Sequence, residues 1–473
     1  KTIDRGFHRL QERIELPNKD VLHHIHSLVP LRDAARAACV SHSFLRSWRC
    51  FPNLAFCWET FGLNMNKGTI DERAKILAAG IHHILRNHSG NGVKTLTLPV
   101  NACGDFVTAN LLDRWLQAAV KSGIVELDLH FPRDHGPKYE FPCSILSSAA
   151  SSLWSLSLSY CVFQPTQTLG SFINLKSVCL ALVHITEEEL GYLFSRTLSL
   201  EKFEISHSDG ITFLKIPSNL QLLCILRPLH TIQICAPKIT TFVFHGPPMK
   251  ISISDSSQLK NIGMYGICYC GMFQYALTKL HSIAPKLQAL ELSSSGELLP
   301  TCLQALTMPT SPEKFLHLRH LKIRCSGIRF ERFDYLCLVS FLKACPVLES
   351  FVLLVGQLFI ARHSNANPLD IRRIPEFNHD TLKKVTITGF CSSNSLIELT
   401  RQILGSCSSL QCLVLDTTRG YNNTGICQSM EKNAVLKALE GVEAIERYIK
   451  GNVPSSVNFE VLEPCSKCHI PKL

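Results

Sequence analysis

From residue 93 onward the chain repeats one short arrangement of positions, apolar-x-x-apolar-x-apolar. Its copies are Val93/Leu96/Leu98, Ile124/Leu127/Leu129, Leu153/Leu156/Leu158, Leu175/Val178/Leu180, Leu200/Phe203/Ile205, Leu220/Leu223/Ile225, Ile239/Phe242/Phe244, Leu259/Ile262/Met264, Leu287/Leu290/Leu292, Leu318/Leu321/Ile323, Leu348/Phe351/Leu353, Leu382/Val385/Ile387 and Leu410/Leu413/Leu415. These thirteen copies start 19 to 34 residues apart. In each, the last two apolar residues alternate with polar or small ones, as in a short strand with one face in a core. The first apolar residue turns in from the preceding bend. One such strand cannot bury its own face, so the copies must stack as parallel strands to make a continuous core.

Between the strands, the longer intervals predict helices. Residues 105–120 place Phe106, Leu111, Leu112, Trp115, Leu116 and Ala119 at helical spacing, with Gly123 as the stop. Thr186-Glu187-Glu188-Glu189 has capping-box spacing ahead of Leu190, Leu193 and Phe194. Residues 333–344 and 396–404 repeat the scheme. Around the copies that start 19 and 20 residues apart, Pro217, Pro228, Pro237, Pro247 and Pro248 predict turns or extended chain instead. A last helix over 434–449, with Val435, Leu436, Leu439, Val442, Ile445 and Ile449, is expected to cover the end of the stack. Helices on one side and strands on the other make an α/β leucine-rich-repeat solenoid, a horseshoe of about thirteen parallel strands.

Residues flanking the two inner apolar positions face away from the core and form a candidate binding face. Glu126, Asp128 and His130 open it, Leu222, Cys224, Leu226 and Val243 follow, and His320, Lys322, Arg324 and Lys384 come later. Apolar residues between charged ends suit a protein ligand. Leu222, Leu226 and Val243 would hold it by apolar contact, and His320, Lys322, Arg324 and Lys384 would orient an acidic segment. Strand spacing predicts Lys384 about 10 Å from the row of Lys322.

Upstream the pattern changes. Asp20 can cap a helix carrying Val21, Leu22, Ile25 and Leu28, which Pro30 ends; a second helix is predicted over 32–38 and a third from 41 to 47, reaching Trp48. So small a module buries too little to stand alone, and its surplus apolar surface points to another protein or to the neighbouring repeats. The segment LPNKDVLHHIHSLVPLRDAARAACVSHSFLRSWRCFPNL, residues 16–54, resembles an F-box in its Leu-Pro, its Val-Leu-x-x-Ile helix, its Leu-Arg-Asp-Ala turn, its Cys-Val-Ser and its Trp. Together with the repeats the chain is similar to plant F-box/leucine-rich-repeat proteins. Residues 376–417, including LKKVTITGFCSSNSLIELTRQILGSCSSLQCLVLDT, resemble the FBD region of that family.

The resemblance implies a non-catalytic substrate-recognition subunit of an SCF-type E3 ubiquitin ligase. The F-box would bind a Skp-family adaptor, which brings cullin and RING subunits indirectly, and the repeats would hold an unknown target protein. Carried onto this sequence, the adaptor contacts are Leu16, Pro17, Val21, Leu22, Ile25, Leu28, Leu31, Cys39, Val40, Ser41 and Trp48. The division is then 16–54 for the F-box, 55–92 for a helical connector and N-terminal cap, 93–433 for the solenoid including 376–417, and 434–473 for a C-terminal cap helix and tail. The connector's Ala74, Leu77, Ala78, Ile81, Ile84 and Leu85 form an apolar stripe suited to sealing the first repeat. The alternative is a leucine-rich-repeat interaction scaffold outside any ligase.

Composition narrows the chemistry. The net charge of +10 rests on only 18% charged residues, without a polybasic block, so a nucleic-acid partner is not expected. The 21 cysteines are scattered through apolar runs, which reads as buried free thiols in a reducing compartment, nucleus or cytoplasm. The opening KTIDRGF is no signal peptide, and no apolar run approaches the ~20 residues a membrane helix needs. Cys465, Cys468 and His469 offer two thiolates and an imidazole, but no second pair lies near, so the cluster is read as part of the tail and no metal or cofactor is expected. Cys268 and Cys270 are too close for the usual zinc pair. His23, His24 and His26 spread around a helical wheel as solvated side chains. No nucleophile elbow, phosphate loop or His-Glu-x-x-His helix appears.

Overall fold

The computed structural model describes residues 19–64, 68–89, 92–132, 138–207, 211–217, 219–227, 232–235, 238–247, 251–254, 256–266, 271–295, 314–326, 333–356, 372, 377–420, 430 and 432–465. The chain divides into two compact units, Lys1–Leu175 and Lys176–Leu473.

The first unit begins with three helices, α1 (Lys19–Ser27), α2 (Leu31–Val40) and α3 (His42–Trp48). Pro30, with φ −56°, precedes the first residue of α2, where a missing N–H costs nothing. Ser41 caps α3, its hydroxyl accepting from the Ser43 N–H at 3.2 Å. His26 is not solvated as the helical wheel suggests: it is 1% exposed and ties the three helices together. Its Nε2 lies 2.9 Å from the Ala34 carbonyl and its Nδ1 2.9 Å from Ser47 Oγ. The carbonyl can only accept, so Nε2–H donates to it. The rings of Phe44 and Phe51 close around the imidazole at 5.2 and 5.5 Å.

Strand pairing starts earlier than residue 93. Asn53–Ala55 pairs in parallel with Thr95–Pro99, Leu54 opposite Leu96. The helix Ile70–Asn87 therefore crosses between two rungs and is not a lid on the first one; the Thr69/Glu72 capping box starts it, and Ala74, Leu77, Ala78, Ile81 and Leu85 face the core. Glu126–His130 and Ser155–Ser159 continue the ladder in register. The helix predicted over 105–120 spans Ala109–Ala119, because Thr108 caps it while Gly104–Phe106 forms a separate 3-10 turn. Phe106 is consequently exposed.

The second unit carries the parallel strands Ser177–Ala181, Lys202–Ser206, Leu222–Leu226, Thr241–His245, Asn261–Gly266, Ala289–Ser294, His320–Cys325, Ser350–Val355, Lys384–Thr388, Cys412–Asp416 and Asn458–Leu462. Inner pairs such as Leu223/Ile225, Leu321/Ile323 and Leu413/Leu415 are buried. Helices Glu187–Arg196, Met272–Ile283, Val339–Ala344, Asn394–Ser406 and Lys432–Tyr448 form the layer behind them. The predicted capping box is present: the Thr186 hydroxyl accepts from the Glu189 N–H at 3.2 Å, and Glu189 Oε2 accepts from the Thr186 N–H at 2.7 Å. The helix expected over 333–344 is split, with a 3-10 turn at Tyr335–Leu338 that Asp334 caps.

Behind the short repeats the outer layer is a second parallel sheet, Phe213–Lys215, Ile232–Cys235 and Ile251–Ser254. With 19 and 20 residues between copies the chain has no room for a helical return. Extended returns at matching offsets satisfy one another's backbone groups. Several strands leave the ladder through a left-handed residue: Leu182 (φ 57°), His207 (φ 50°), Arg227 (φ 49°) and Gly389 (φ 78°). At Gly389 a Cβ would lie 2.1 Å from the Val355 carbonyl oxygen, so only glycine fits.

The ladder also runs past residue 433. Asn458–Leu462 pairs with Cys412–Asp416, which makes Lys432–Tyr448 another crossover helix rather than a terminal cap. Its inward face is made of small residues, Ala434, Ala438, Gly441 and Ala444, with Ile445. Leu436 and Leu439, predicted to be covered, are 43% and 47% exposed. The close approach explains the rotation: a Cβ on Gly441 would sit 2.9 Å from the Phe390 carbonyl oxygen.

Candidate functional site

The strands of the second unit turn one face to their outer layer and the other to solvent. On the open face the register aligns three rows. The first runs Leu222, Thr241, Asn261, Ala289, His320, Ser350, Lys384. The second runs Cys224, Val243, Gly263, Glu291, Lys322, Val352, Thr386, and the third Leu226, His245, Tyr265, Ser293, Arg324, Leu354, Thr388. All of the predicted ligand positions, Leu222, Leu226, Val243, His320, Lys322, Arg324 and Lys384, lie on this face. Lys384 lies two strands beyond that of Lys322 and is aligned with His320, because it precedes Val385 as His320 precedes Leu321.

Leu222, Leu226 and Val243 are half-buried, and Cys224 between the two leucines is buried, its thiol pushed up to about 12 chiefly by desolvation. Beside them His245 and Tyr265 stack at 4.4 Å with planes 14° apart. The tyrosine ring lies over Gly263, where a Cβ would be 2.9 Å from Cε2. Burial and then the neighbouring Glu291 carboxylate push the Tyr265 hydroxyl up to about 12, so it stays protonated. Burial lowers the His245 imidazole, which favours the neutral ring. Sequence reasoning overlooked this aromatic platform, although His245 and Tyr265 occupy equivalent positions of adjacent copies and Gly263 leaves the gap.

Lys322 is not a free cation. Its Nζ lies 2.9 Å from Glu291 Oε1 on the adjacent strand. His320, Arg324 and Lys384 are exposed, and among the described residues none of them forms an ion pair.

In the first unit Asp128 is also engaged. His130 Nε2 is 3.1 Å from Asp128 Oδ1, and its Nδ1 is 3.1 Å from Ser159 Oγ on the next strand. The hydrogen bond that His130 donates to the Asp128 carboxylate raises the His130 pKa. Burial pushes Asp128 up, but hydrogen bonds from His130 and Ser157 outweigh it and hold the carboxyl below its usual range. With Ser159 buried, the trio is a tie between strands.

The family model described as "At1g61320/AtMIF1, LRR domain" matches residues 84–466. The chain belongs to this leucine-rich-repeat family. No curated protein matches it. It is built around an LRR protein-interaction domain, and among the described residues no group of three His, Cys, Asp or Glu side chains could hold a metal ion. Nor is any helix among them long and apolar enough to cross a membrane. Of the tail cluster, Cys465 is disulfide-bonded rather than free, and Cys468 and His469 lie outside the described residues, as do Cys268 and Cys270.

The helices α1 to α3 precede the matched LRR region. Of the residues assigned to an adaptor, Leu16, Pro17 and the Leu22 side chain lie outside the described residues. Val21, Ile25, Leu28 and Val40 are 48%, 47%, 71% and 83% exposed, and Cys39 is exposed with them. Three others have structural work of their own. Leu31 is buried, Ser41 caps α3, and the Trp48 ring packs 5.5 Å from Phe51.

Proposed function

We propose that this LRR-domain chain is a protein-interaction scaffold that holds a partner protein on the open face of its second unit. The observation that carries this reading is the apolar rung Leu222, Cys224, Leu226 with Val243 beside it, on positions that face away from the core. Small polar residues would suffice on a merely solvated strand face. A photo-crosslinking residue at Val243 should capture a partner in cells, and the same residue at Glu443, on the exposed side of the helix Lys432–Tyr448, should not. Equal capture at both positions would reject the open face.

A finer reading makes the scaffold the substrate-recognition subunit of an SCF-type ubiquitin ligase in the nucleus or cytoplasm. Its support is the F-box-like sequence of 16–54 together with the uncovered Val21, Ile25, Leu28 and Val40. A Skp-family adaptor would cover them, linking the chain to cullin and RING subunits, and the protein held by the repeats would be the ubiquitination target. Native purification should then recover adaptor and cullin, and the paired change Leu16→Ala, Pro17→Ala should deplete both without altering the thermal transition of the repeats. Open-face partners without adaptor or cullin would leave the scaffold reading alone.

A further inference from the structure

We infer that the ligand of the open face is an extended acidic peptide segment, with its apolar end over Leu222, Leu226 and Val243 and its carboxylates over Arg324 and Lys384. This rests on the reading of the open face as the interaction site.

Charge is the first reason. Beside the exposed cations, the carboxylates on adjoining positions are already engaged. Glu291 holds Lys322 at 2.9 Å, and Glu349 holds Arg319 at 2.9 Å and Lys383 at 3.4 Å. Arg324 and Lys384 are left with positive charge that nothing among the described residues pairs. On one side their register neighbours Ser293 and Ser350 are small and neutral, and on the other stand Leu354 and Cys412, so no carboxylate flanks either cation in its row. An incoming carboxylate would find donors that are unshielded and need not give up an existing partner.

The second reason is length and order. From Leu222 to Lys384 the register takes six steps. At ~4.8 Å per strand that is about 29 Å, the span of about nine residues of extended chain. Along the path the surface changes from aliphatic to the flat His245–Tyr265 stack and then to cationic. A peptide that places aliphatic residues at one end and acidic ones at the other matches each stretch in turn. A nucleic acid does not, because its backbone needs cations along its whole length and the apolar positions Leu222, Leu226 and Val243 offer none.

Panning a random dodecapeptide phage library against the full-length chain tests this directly, followed by fluorescence anisotropy of the enriched peptides. Expected are peptides with an aliphatic cluster on one side and at least two Asp or Glu on the other, whose affinity falls with salt. The double change Arg324→Glu, Lys384→Glu should weaken them by about tenfold or more, Arg324→Gln by a few-fold, and Val243→Arg by about tenfold. Unchanged thermal transitions would show that these surface variants still fold. Peptides that depend on Val243 but show no acidic excess and ignore both cations would overturn the acidic ligand while leaving the interaction face intact. If nothing enriched depends on any of these residues, the inference and the open-face reading both fall. Competition by a single-stranded RNA oligonucleotide as effective as that of the peptide would also overturn it.

Discussion

Two stretches of the second unit do the same structural task with different material. Over 202–266 the copies start 19 and 20 residues apart and short strands back the ladder; over 289–416 they start 28 to 34 residues apart and, among the described residues, the helices Val339–Ala344 and Asn394–Ser406 do. The inner pairs are buried alike, Phe242 and Phe244 in the first stretch, Val385 and Ile387 in the second. The strand-backed layer contributes small inserts such as Leu214 and Ile234, whereas the helical layer buries Phe341, Leu342, Leu396, Leu399 and Ile403. Register is therefore set by the ladder's own hydrogen bonds and inner side chains. The outer layer decides how much apolar surface each copy buries, and so how firmly it is held.

The largest expected effect lies in the helical stretch. Phe341→Ala empties a fully buried ring position and should cost about 3–5 kcal/mol, against about 2–4 kcal/mol for Ile234→Ala in the strand-backed layer. Denaturant unfolding measures both, and native-state hydrogen exchange should show the strand-backed stretch opening first. Equal protection across the two would break the comparison. Gly389→Ala comes next. It combines a left-handed backbone with a methyl carbon 2.1 Å from a carbonyl oxygen, for about 2–4 kcal/mol lost.

A polar difference follows. In the helical stretch Arg372 reaches Asp334 and Glu398, both at 2.7 Å, and those carboxylates are only 9% and 2% exposed. Asp334 also caps the 3-10 turn at Leu336. Arg372→Ala leaves two shielded carboxylates without their cation. Because the guanidinium itself is 51% exposed, the cost should be about 2–3 kcal/mol, below that of a wholly buried pair. Replacing Asp334 and Glu398 by Asn and Gln in the same chain should restore part of it. No recovery would mean that Arg372 acts through packing alone.

How much of this was legible follows from what alternation can encode. Every copy of the apolar pattern from Val93 to Leu415 coincides with a strand. A further copy, Phe51/Leu54/Phe56, was hidden because it overlaps the segment read as helical. The last strand was missed because Ser456 stands where the leading apolar residue would be, three before Phe459. On the open face, alternation identified which side chains turn outward but not which of them meet. The Lys322–Glu291 pair and the Tyr265 ring over Gly263 depend on neighbours 31 residues away or on a missing Cβ. His26 shows the same limit in a helix, since spacing places it on a face without telling whether anything covers that face.

The smallest effect belongs to the edge of the strand-backed layer. An edge strand leaves backbone groups unpaired, and here Glu187, at the start of the helix Glu187–Arg196, covers one. Its Oε1 accepts from the Phe213 N–H at 2.8 Å and from the Thr212 hydroxyl at 2.7 Å, and also bonds the Thr212 N–H. These bonds hold the Glu187 carboxyl below its usual range. A carboxyl whose pKa is lowered by folding stabilises the fold above its unfolded value, near 4.5, and that contribution disappears as pH falls through the folded value. The group is largely solvated, so Glu187→Gln should cost only about 0.5–1 kcal/mol at neutral pH. The wild-type and variant stability curves should converge in acid. In hydrogen exchange the Thr212 and Phe213 amides should lose protection in the variant while those of the helix-backed strands do not. A deficit that persists unchanged below pH 3 would show that the carboxylate's charge plays no part in holding this edge.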